Sequence, residues 1–180
     1  MKFAVLAVAA GAALMTGCDT NMLMSLDPFV TEEQAVFEPG LIGVWGSGEA
    51  GDSDLCIIRR SGERGYKITY AGEKDAPLVF DALLFHTGEA AVLDLTQSDA
   101  GDFAVAAHIP VRVWIEGGQF RWAYLDSEWL REQAGKQLAN RGVQKRMLLA
   151  APGAAVRGFV MKYAGDERAH SGITTWERVQ

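Results

Sequence analysis

Short stretches in which apolar and polar residues alternate dominate the chain from residue 41 onward, and they predict β-strands. In one of them Tyr66, Ile68 and Tyr70 fall on one face, while Lys67 and Thr69 fall on the other. This two-residue period is typical of a strand with one buried face. The same alternation or a short apolar run predicts strands over residues 41–45, 55–59, 65–70, 78–86, 90–95, 103–109, 111–116, 119–125, 142–150 and 173–179.

The connections between these strands are short and rich in glycine. Gly117 and Gly118 predict a two-residue hairpin turn, because glycine adopts the positive φ angles that such turns require. Pro110 predicts a strand end or a bulge before Val111, since proline offers no N–H to the ladder. Strands spaced in this way favour an antiparallel meander or a barrel over alternating βαβ units.

Two helical patterns interrupt the strands in the C-terminal third of the chain. Asp126 or Ser127 is the predicted N-cap of the first, followed by the acidic Glu128 near the positive end of the helix dipole. The second begins near Pro152 and places apolar residues at helical spacing: Val156, Phe159, Val160 and Tyr163. We therefore predict a mainly β (α+β) fold, an antiparallel β-meander or small barrel with two short C-terminal helices packed on it.

The N-terminus differs from the rest of the chain. Met1 and Lys2 precede an apolar run over residues 3–15 that has the length of an export signal and is too short to span a bilayer. The tetrapeptide Met15-Thr16-Gly17-Cys18 resembles the lipobox of bacterial lipoproteins, with methionine in place of the usual leucine. That resemblance implies cleavage after residue 17 and a Cys18 that carries a diacylglycerol and an amide-linked acyl chain such as palmitate. The alternative is an ordinary secretory signal with an incidental cysteine.

The residue after the predicted anchor bears on localisation. Asp19 resembles the signal that retains lipoproteins in the inner membrane of enterobacteria, which implies the periplasmic face of that membrane; the outer membrane is the alternative. Residues 18–40 have no sustained periodicity and contain Pro28 and Pro39, so we predict a lipidated tether there. Residues 41–180 are then a single β-rich domain.

The charge balance excludes some partners. Removal of residues 1–17 takes away Lys2 alone, which leaves 16 basic against 23 acidic side chains and a formal charge of −7. Nucleic acids and anionic lipid head groups both require basic patches, so neither is expected as a partner of such a chain. With Cys18 acylated, Cys56 has no partner for an intramolecular disulfide, and we expect a buried, inert thiol in its apolar run.

The first predicted strand contains Gly43-Val44-Trp45, which resembles the Gly-x-Trp motif of lipocalins. In lipocalins this tryptophan closes one end of the barrel, and a basic residue from the last strand packs on its ring. The resemblance implies that part for Arg178, through a cation–π contact. The alternative is an unrelated β-sheet with a structural tryptophan. A second resemblance rests on further segments: the opening Leu41-Ile-Gly-Val-Trp45, the strand Gly65-Tyr-Lys-Ile-Thr-Tyr70, Val92-Leu-Asp-Leu95, Leu125-Asp-Ser-Glu-Trp-Leu130 and the apolar helix that ends in Lys162-Tyr-Ala164. Through them most of the mature chain, from residue 41 to 163, also resembles a family of small uncharacterised bacterial lipoproteins, which implies no activity.

Aromatic residues gather on a few of the predicted strands. They form either a hydrophobic core face or the lining of a cleft for an apolar or amphiphilic ligand. The candidates are Tyr66, Tyr70, Trp114, Phe120, Trp122 and Tyr124.

Catalytic, cofactor and metal sites are not predicted. The loop containing Asp52 and Asp54 begins like a calcium loop but lacks the later ligands, so we expect a solvated hairpin. His86 and His108 lie on strands that can be adjacent, with Asp94 nearby, yet no spacing of a zinc site is present. The common nucleophile, nucleotide and phosphate motifs are absent from the sequence.

These observations lead to one leading hypothesis and two alternatives. The first is a membrane-anchored, non-enzymatic envelope lipoprotein that binds a small apolar or amphiphilic ligand, or a partner protein. The second is a structural or assembly accessory without a ligand pocket, and the third, less favoured, is a hydrolase without a known motif. An enclosed aromatic-lined cavity of a few hundred Å³ favours the ligand, a solid core with an apolar surface patch favours the partner, and a Ser/His pair in one cleft favours the hydrolase.

Overall fold

The computed structural model describes residues 21–47, 53–72, 76–98, 106–134, 138–143 and 146–179. The predicted signal peptide, Cys18 and Asp19 lie outside these residues. So do Asp52 and residues 103–105 of one predicted strand.

Eight antiparallel strands form a closed barrel. Seven neighbouring pairs follow one another in the order β6-β5-β4-β3-β2-β11-β8-β7, and a further ladder between β6 and β7 closes the ring. The strands are β2 (Gly43–Gly46), β3 (Leu55–Ser61), β4 (Gly65–Ala71), β5 (Leu78–Thr87), β6 (Ala90–Gln97), β7 (His108–Glu116), β8 (Gln119–Tyr124) and β11 (Thr174–Arg178). The predicted β-meander or small barrel is confirmed.

Three further strands extend the barrel wall. β1 (Met22–Ser25) contacts the start of β7 and runs parallel to β10 (Arg146–Leu149), which pairs in turn with β9 (Asn140–Val143). The single strand predicted over residues 142–150 is therefore wrong, because the chain reverses direction there and forms a hairpin. Both this hairpin and the two helices lie in the long connection between β8 and β11.

Both predicted helices are present. α1 (Ser127–Ala134) begins at Asp126, whose carboxylate accepts hydrogen bonds from the backbone N–H groups of residues 128 and 129. α2 (Gly153–Tyr163) buries the four apolar residues that the helical period placed on one face. A short 3-10 helix, Pro39–Leu41, precedes β2 at one end of the barrel.

The strand pattern gives the molecule two separate hydrophobic cores. The interior core fills the barrel and includes Trp45, Tyr66, Ile68 and Phe120. The outer core lies on the other face of β5 and β6, where Phe85 and Val92 pack with α1, α2 and the N-terminal residues. Alternate residues of the same strand therefore belong to different cores, as the two-residue period requires.

The prediction that residues 18–40 are a tether is wrong for the part that the structure describes. Met22 and Leu23 are buried in β1, and Phe29, Val30 and Ala35 are buried in the outer core. We call residues 26–38 the strap, because this segment runs along the outside of the barrel from β1 to the 3-10 helix. Its apolar side chains cover β5 and β6, which would otherwise expose their outer apolar face to water.

The structure has neither the strand end nor, against β6, the bulge that was predicted at Pro110. β7 continues from His108 through Pro110 to Glu116. On one side Pro110 faces Asp94 of β6, and on the other β8 has already ended at Tyr124, opposite Val111. The missing N–H therefore lies where the neighbouring strand provides no ladder partner.

Candidate functional site

Five of the six candidate aromatic residues point into the barrel. Tyr66, Tyr70, Phe120 and Tyr124 belong to the interior core, and Trp122 packs against it. An interior cavity lined in part by Phe120, Trp122 and Tyr124 measures about 30 Å³. This volume is enough for a water molecule and far below the several hundred Å³ of a typical ligand pocket. The aromatic face is thus a packed core in this conformation.

The hydroxyl groups of the buried tyrosines are used at the two ends of the barrel. At one end Tyr66 stacks on Phe37, and its hydroxyl oxygen accepts a hydrogen bond of 2.6 Å from the backbone N–H of Glu38. At the other end the Tyr70 hydroxyl donates to the carboxylate of Asp54. Burial raises the pKa of Tyr124 above its ordinary value. These groups are structural and hold the barrel ends together.

Trp114 is separated from the other five aromatic residues, because it lies on the opposite face of β7. Its ring receives the guanidinium groups of Arg112 and Arg121, at 4.7 and 5.5 Å from the ring centroid. It also contacts the ring of His170. Successive side chains of a strand point to opposite faces, so the sequence of β7 already places Trp114 on the face opposite to Val113 and Ile115.

Cys56 lies in the interior core and is buried, as its apolar surroundings in the sequence predicted. Burial raises the pKa of its thiol to about 12. Because the thiolate is the reactive form, this cysteine is inert at neutral pH.

The Gly-x-Trp segment closes one end of the barrel. Trp45 is fully buried, and its indole N–H donates to the carbonyl of Leu41 in the 3-10 helix at 3.0 Å. The guanidinium of Arg178 lies 4.2 Å from the centre of the Trp45 ring. It also donates to the carbonyl groups of Gly40 and Ile42, both at 2.8 Å. The predicted contact between Arg178 and Trp45 is present, and it joins β11 to β2.

A cleft of about 300 Å³ lies outside the barrel, between the strap and the outer face of β4 to β7. We call it the strap cleft. Its lining combines apolar and polar groups, among them Pro28, Val30, Leu83, Asp94, Thr96 and His108. A pocket of this size and mixed polarity is within the range that small-molecule sites occupy.

Asp94 and His108 form the polar centre of the strap cleft. The Asp94 side chain is only 3% exposed, and its two oxygens have different partners. One lies 2.9 Å from Nδ1 of His108, and the other accepts a hydrogen bond of 3.2 Å from the backbone N–H of Phe29 in the strap. One carboxylate therefore joins the strap, β6 and β7.

The contact with Asp94 determines which ring nitrogen of His108 can accept a hydrogen bond from another group. A carboxylate accepts hydrogen bonds, so we assign the proton to Nδ1, which leaves the lone pair of Nε2 as an acceptor. Among the described residues, the side chain of His108 forms hydrogen bonds only with Asp94 and Thr96, and both contacts are at Nδ1. An oriented imidazole acceptor thus lines a cleft whose strap side combines the apolar Pro28 and Val30 with the acidic Glu32.

A second groove of about 300 Å³ lies at the end of the barrel that Trp45 closes. His86, Glu89, Arg112 and Trp114 line it together with neighbouring residues. Arg112 is buried, and its guanidinium donates to the backbone carbonyls of residues 89, 91 and 113. Three of its N–H donors are thus engaged by backbone carbonyls of the protein itself.

The three histidines do not converge. His86 lines the groove at the closed end and His108 lines the strap cleft, whereas His170 precedes β11 and approaches the carbonyl of Ala164 through Nε2. Within the described ranges, no group of three or more His, Cys, Asp and Glu side chains is placed to hold a metal ion. No helix in the described part of the chain is long and apolar enough to cross a bilayer.

The strap cleft was not predicted from the sequence as a site. The pairing of Asp94 with His108 was noted only together with His86, which lies elsewhere. One wall of the cleft comes from the strap, through residues such as Pro28 and Val30, in a segment interpreted as a tether. The signal that was present is the apolar content of the strap, since Phe29-Val30 and Ala35-Val36-Phe37 are unusual in a solvated linker.

Comparison with known proteins gives no relative: no family model, no curated protein and no solved structure matches this chain.

Proposed function

We propose that this protein is a membrane-anchored, non-enzymatic envelope lipoprotein that binds a small amphiphilic ligand in the strap cleft. The observation that supports it most is the contrast in free volume. The interior cavity measures about 30 Å³, whereas the strap cleft measures about 300 Å³. The second groove has the same volume, but the guanidinium of Arg112 there already donates to backbone carbonyls of the protein. Cys18 provides the anchor in this proposal, and the periplasmic face of the inner membrane is its location.

The lining of the strap cleft suits an amphiphile. Pro28, Val30 and Leu83 offer apolar contact, and Nε2 of His108 offers an acceptor to a hydroxyl or amine of the ligand. Because Asp94 holds the imidazole from behind, the acceptor is already oriented before a ligand arrives.

The hydrolase alternative receives little support from this geometry. A nucleophile that His108 activates would have to bond to Nε2, the nitrogen that Asp94 leaves unused. The hydroxyl of Thr96 lies 3.1 Å from Nδ1 instead, on the nitrogen that already faces Asp94.

A structural or assembly accessory is the second candidate, favoured by the filled interior of the barrel. In that case the strap cleft contains only water, and a partner protein binds elsewhere on the surface.

The test uses protein extracted from membranes by detergent. Mass spectrometry of the N-terminal peptide reports the acyl mass on Cys18, and native mass spectrometry reports any small molecule bound to the protein. We expect one bound molecule in the wild type and none in Thr96→Phe, which fills the cleft. Thr69→Phe is the matched control, because Thr69 also lies on the outer face of the barrel, on β4, but does not line the cleft. An unacylated Cys18 would refute the anchor, and equal occupancy in both variants would refute the cleft.

A further inference from the structure

The charged side chains that line the strap cleft are of one sign. Three carboxylates line it, those of Glu32, Asp81 and Asp94, and among the described residues no lysine or arginine does. A cleft lined by one sign of charge attracts ligands of the opposite sign. The lining therefore bears on the head group of the ligand that binds there.

One of the three carboxylates is already compensated. Nζ of Lys67 lies 2.5 Å from one oxygen of Asp81, and the other oxygen accepts a hydrogen bond of 2.7 Å from the hydroxyl of Ser98. Asp81 and Lys67 are thus neutral as a pair. The carboxylates of Glu32 and Asp94 remain.

Asp94 carries a buried charge without a cationic partner. Its two oxygens face the Nδ1–H of His108 and the backbone N–H of Phe29, and both donors are neutral in the assigned tautomer. These hydrogen bonds offset part of the cost of burying a carboxylate, but no opposite charge balances it. A cation bound in the cleft would therefore be stabilised by Asp94.

Two acceptors on the cleft wall are available to such a cation. Nε2 of His108 carries a lone pair and has no hydrogen-bond partner among the described residues. Glu32 lies in the exposed turn of the strap and forms no ion pair with a described residue. An ammonium group can donate to both acceptors, whereas an anionic head group has no proton to offer them.

The immediate surroundings of the cleft do not reverse its sign. The positions next in sequence to the lining residues add Arg60, Arg64 and Lys67 on the basic side and Asp27 and Glu33 on the acidic side. With the three lining carboxylates this makes five acidic against three basic side chains, a local formal charge of −2. The guanidinium groups of Arg60 and Arg64 also donate to backbone carbonyls, those of residues 62 and 63 and of residues 33 and 35.

We propose that the ligand of the strap cleft is a cationic amphiphile, an alkyl chain that ends in a protonated primary amine. This inference rests on the proposed function, the binding of an amphiphile in this cleft. The ammonium group donates to Nε2 of His108 and lies near the carboxylates of Asp94 and Glu32, while the chain contacts the apolar part of the lining. A phosphate beside the amine, as in phosphatidylethanolamine, would find no lysine or arginine among the described lining residues to receive it.

The test is isothermal titration calorimetry of the full mature protein in a non-ionic detergent, with the heat of titration into protein-free micelles subtracted. The ligands are octylamine, 1-octanol and octanoate near neutral pH. They share one alkyl chain and carry a cationic, a neutral and an anionic head group. Dihexanoylphosphatidylethanolamine adds an amine that has a phosphate beside it.

We expect octylamine to bind with a Kd about tenfold below that of 1-octanol, because hydrogen bonds of charged groups are stronger than those of neutral ones. Octanoate and dihexanoylphosphatidylethanolamine should show no saturable binding.

Glu32→Gln should weaken the binding of octylamine about two- to fivefold, as expected for an exposed carboxylate, and leave 1-octanol unchanged. Glu33→Gln is the matched control, because Glu33 is the next exposed residue of the strap and does not line the cleft. It should change neither affinity. Equal effects of the two variants on octylamine would contradict the placement of the ammonium group beside Glu32.

Two failures are distinguishable with the variant Thr96→Phe, which fills the cleft. Binding that Thr96→Phe abolishes, but that is equally tight for octylamine and 1-octanol or tighter for octanoate or the phospholipid, overturns the cationic head group and leaves the cleft as the site. Binding that Thr96→Phe does not change, or no saturable binding of any ligand, overturns the proposed ligand site and this inference with it.

Discussion

The two hydrophobic cores use the same strands and differ in the empty volume that remains beside their side chains. The interior core is closed by aromatic side chains and leaves about 30 Å³. The outer core is covered by the strap and two helices, which do not fit as completely, and a cleft of about 300 Å³ remains beside it. Eight strands enclose a space that side chains can fill, whereas a single strap cannot cover a curved wall without gaps.

This difference suggests a division of roles. The barrel provides stability and a rigid wall, and the strap provides the second wall of the site and leads toward the predicted anchor. A polar pair, Asp94 with His108, lies where the two meet. The predictions below change one side of this comparison at a time.

The largest effect is expected from the interior core. Trp45→Ala removes a fully buried indole, its hydrogen bond to Leu41 and the surface on which Arg178 packs. We expect a loss of about 3–5 kcal/mol in the free energy of unfolding, measured by urea denaturation. A loss below about 1 kcal/mol would mean that this end of the barrel does not depend on the Gly-x-Trp contact.

The next effect separates a buried carboxylate from an exposed one. Asp94→Asn weakens the charge-assisted bonds to His108 and to the N–H of Phe29, and we expect a cost of about 1.5–3 kcal/mol. Asp81→Asn on the adjacent strand is the control. Its pairing with Lys67 is half exposed, so we expect less than about 1 kcal/mol. Equal effects in urea denaturation would remove the special role given to Asp94.

A pair of glycines in α2 tests whether the strap is part of the fold. A Cβ on Gly153 would lie 1.9 Å from the carbonyl oxygen of Pro28, so Gly153→Ala should cost about 1–3 kcal/mol by forcing the strap and helix apart. Gly158 has open space around it, and Gly158→Ala should stabilise the helix by about 0.5–1 kcal/mol. Thermal unfolding of both variants measures the contrast. Two stabilising substitutions would show that the strap does not press on α2.

The smallest effect concerns pH. Burial is the main cause that lowers the pKa of His170 below its ordinary value of 6.5, and the charge of Arg112 lowers it further. The unfolded chain therefore binds the proton more readily than the folded one, and stability should fall as the pH decreases from 6.5 toward the folded pKa. His170→Gln should reduce this dependence, as measured by urea denaturation at several pH values. An unchanged slope would assign the acid sensitivity to other groups.

The sequence predicted the barrel better than it predicted the site. Alternation is a local property, so residues such as Tyr66 and Ile68 reveal their strand and its buried face without knowledge of the rest. The Gly117-Gly118 turn is local in the same sense. Both glycines have positive φ, 59° and 81°, as the hairpin required.

The site depends on contacts between distant segments, which local patterns do not contain. Phe29 meets Asp94 across 65 residues of sequence, and nothing in the spacing of either residue indicates the other. Pro110 was misinterpreted for a related reason, since its effect depends on where β8 ends. Trp114 was grouped with the other aromatic candidates although a local signal was present. The alternation along β7 is sufficient to place it outside the barrel.

The central claim is that ligands bind in the strap cleft and not in the barrel. The most direct measurement is the titration of the purified protein with the neutral amphiphile N-phenyl-1-naphthylamine, followed by its fluorescence, in two variants. Thr96→Phe fills the cleft, and Val111→Ile adds one methylene to the interior cavity that Val111 lines. The account predicts that Thr96→Phe abolishes saturable binding and that Val111→Ile leaves the affinity of the wild type. Loss of binding in Val111→Ile with full binding in Thr96→Phe would contradict it and place the ligand inside the barrel.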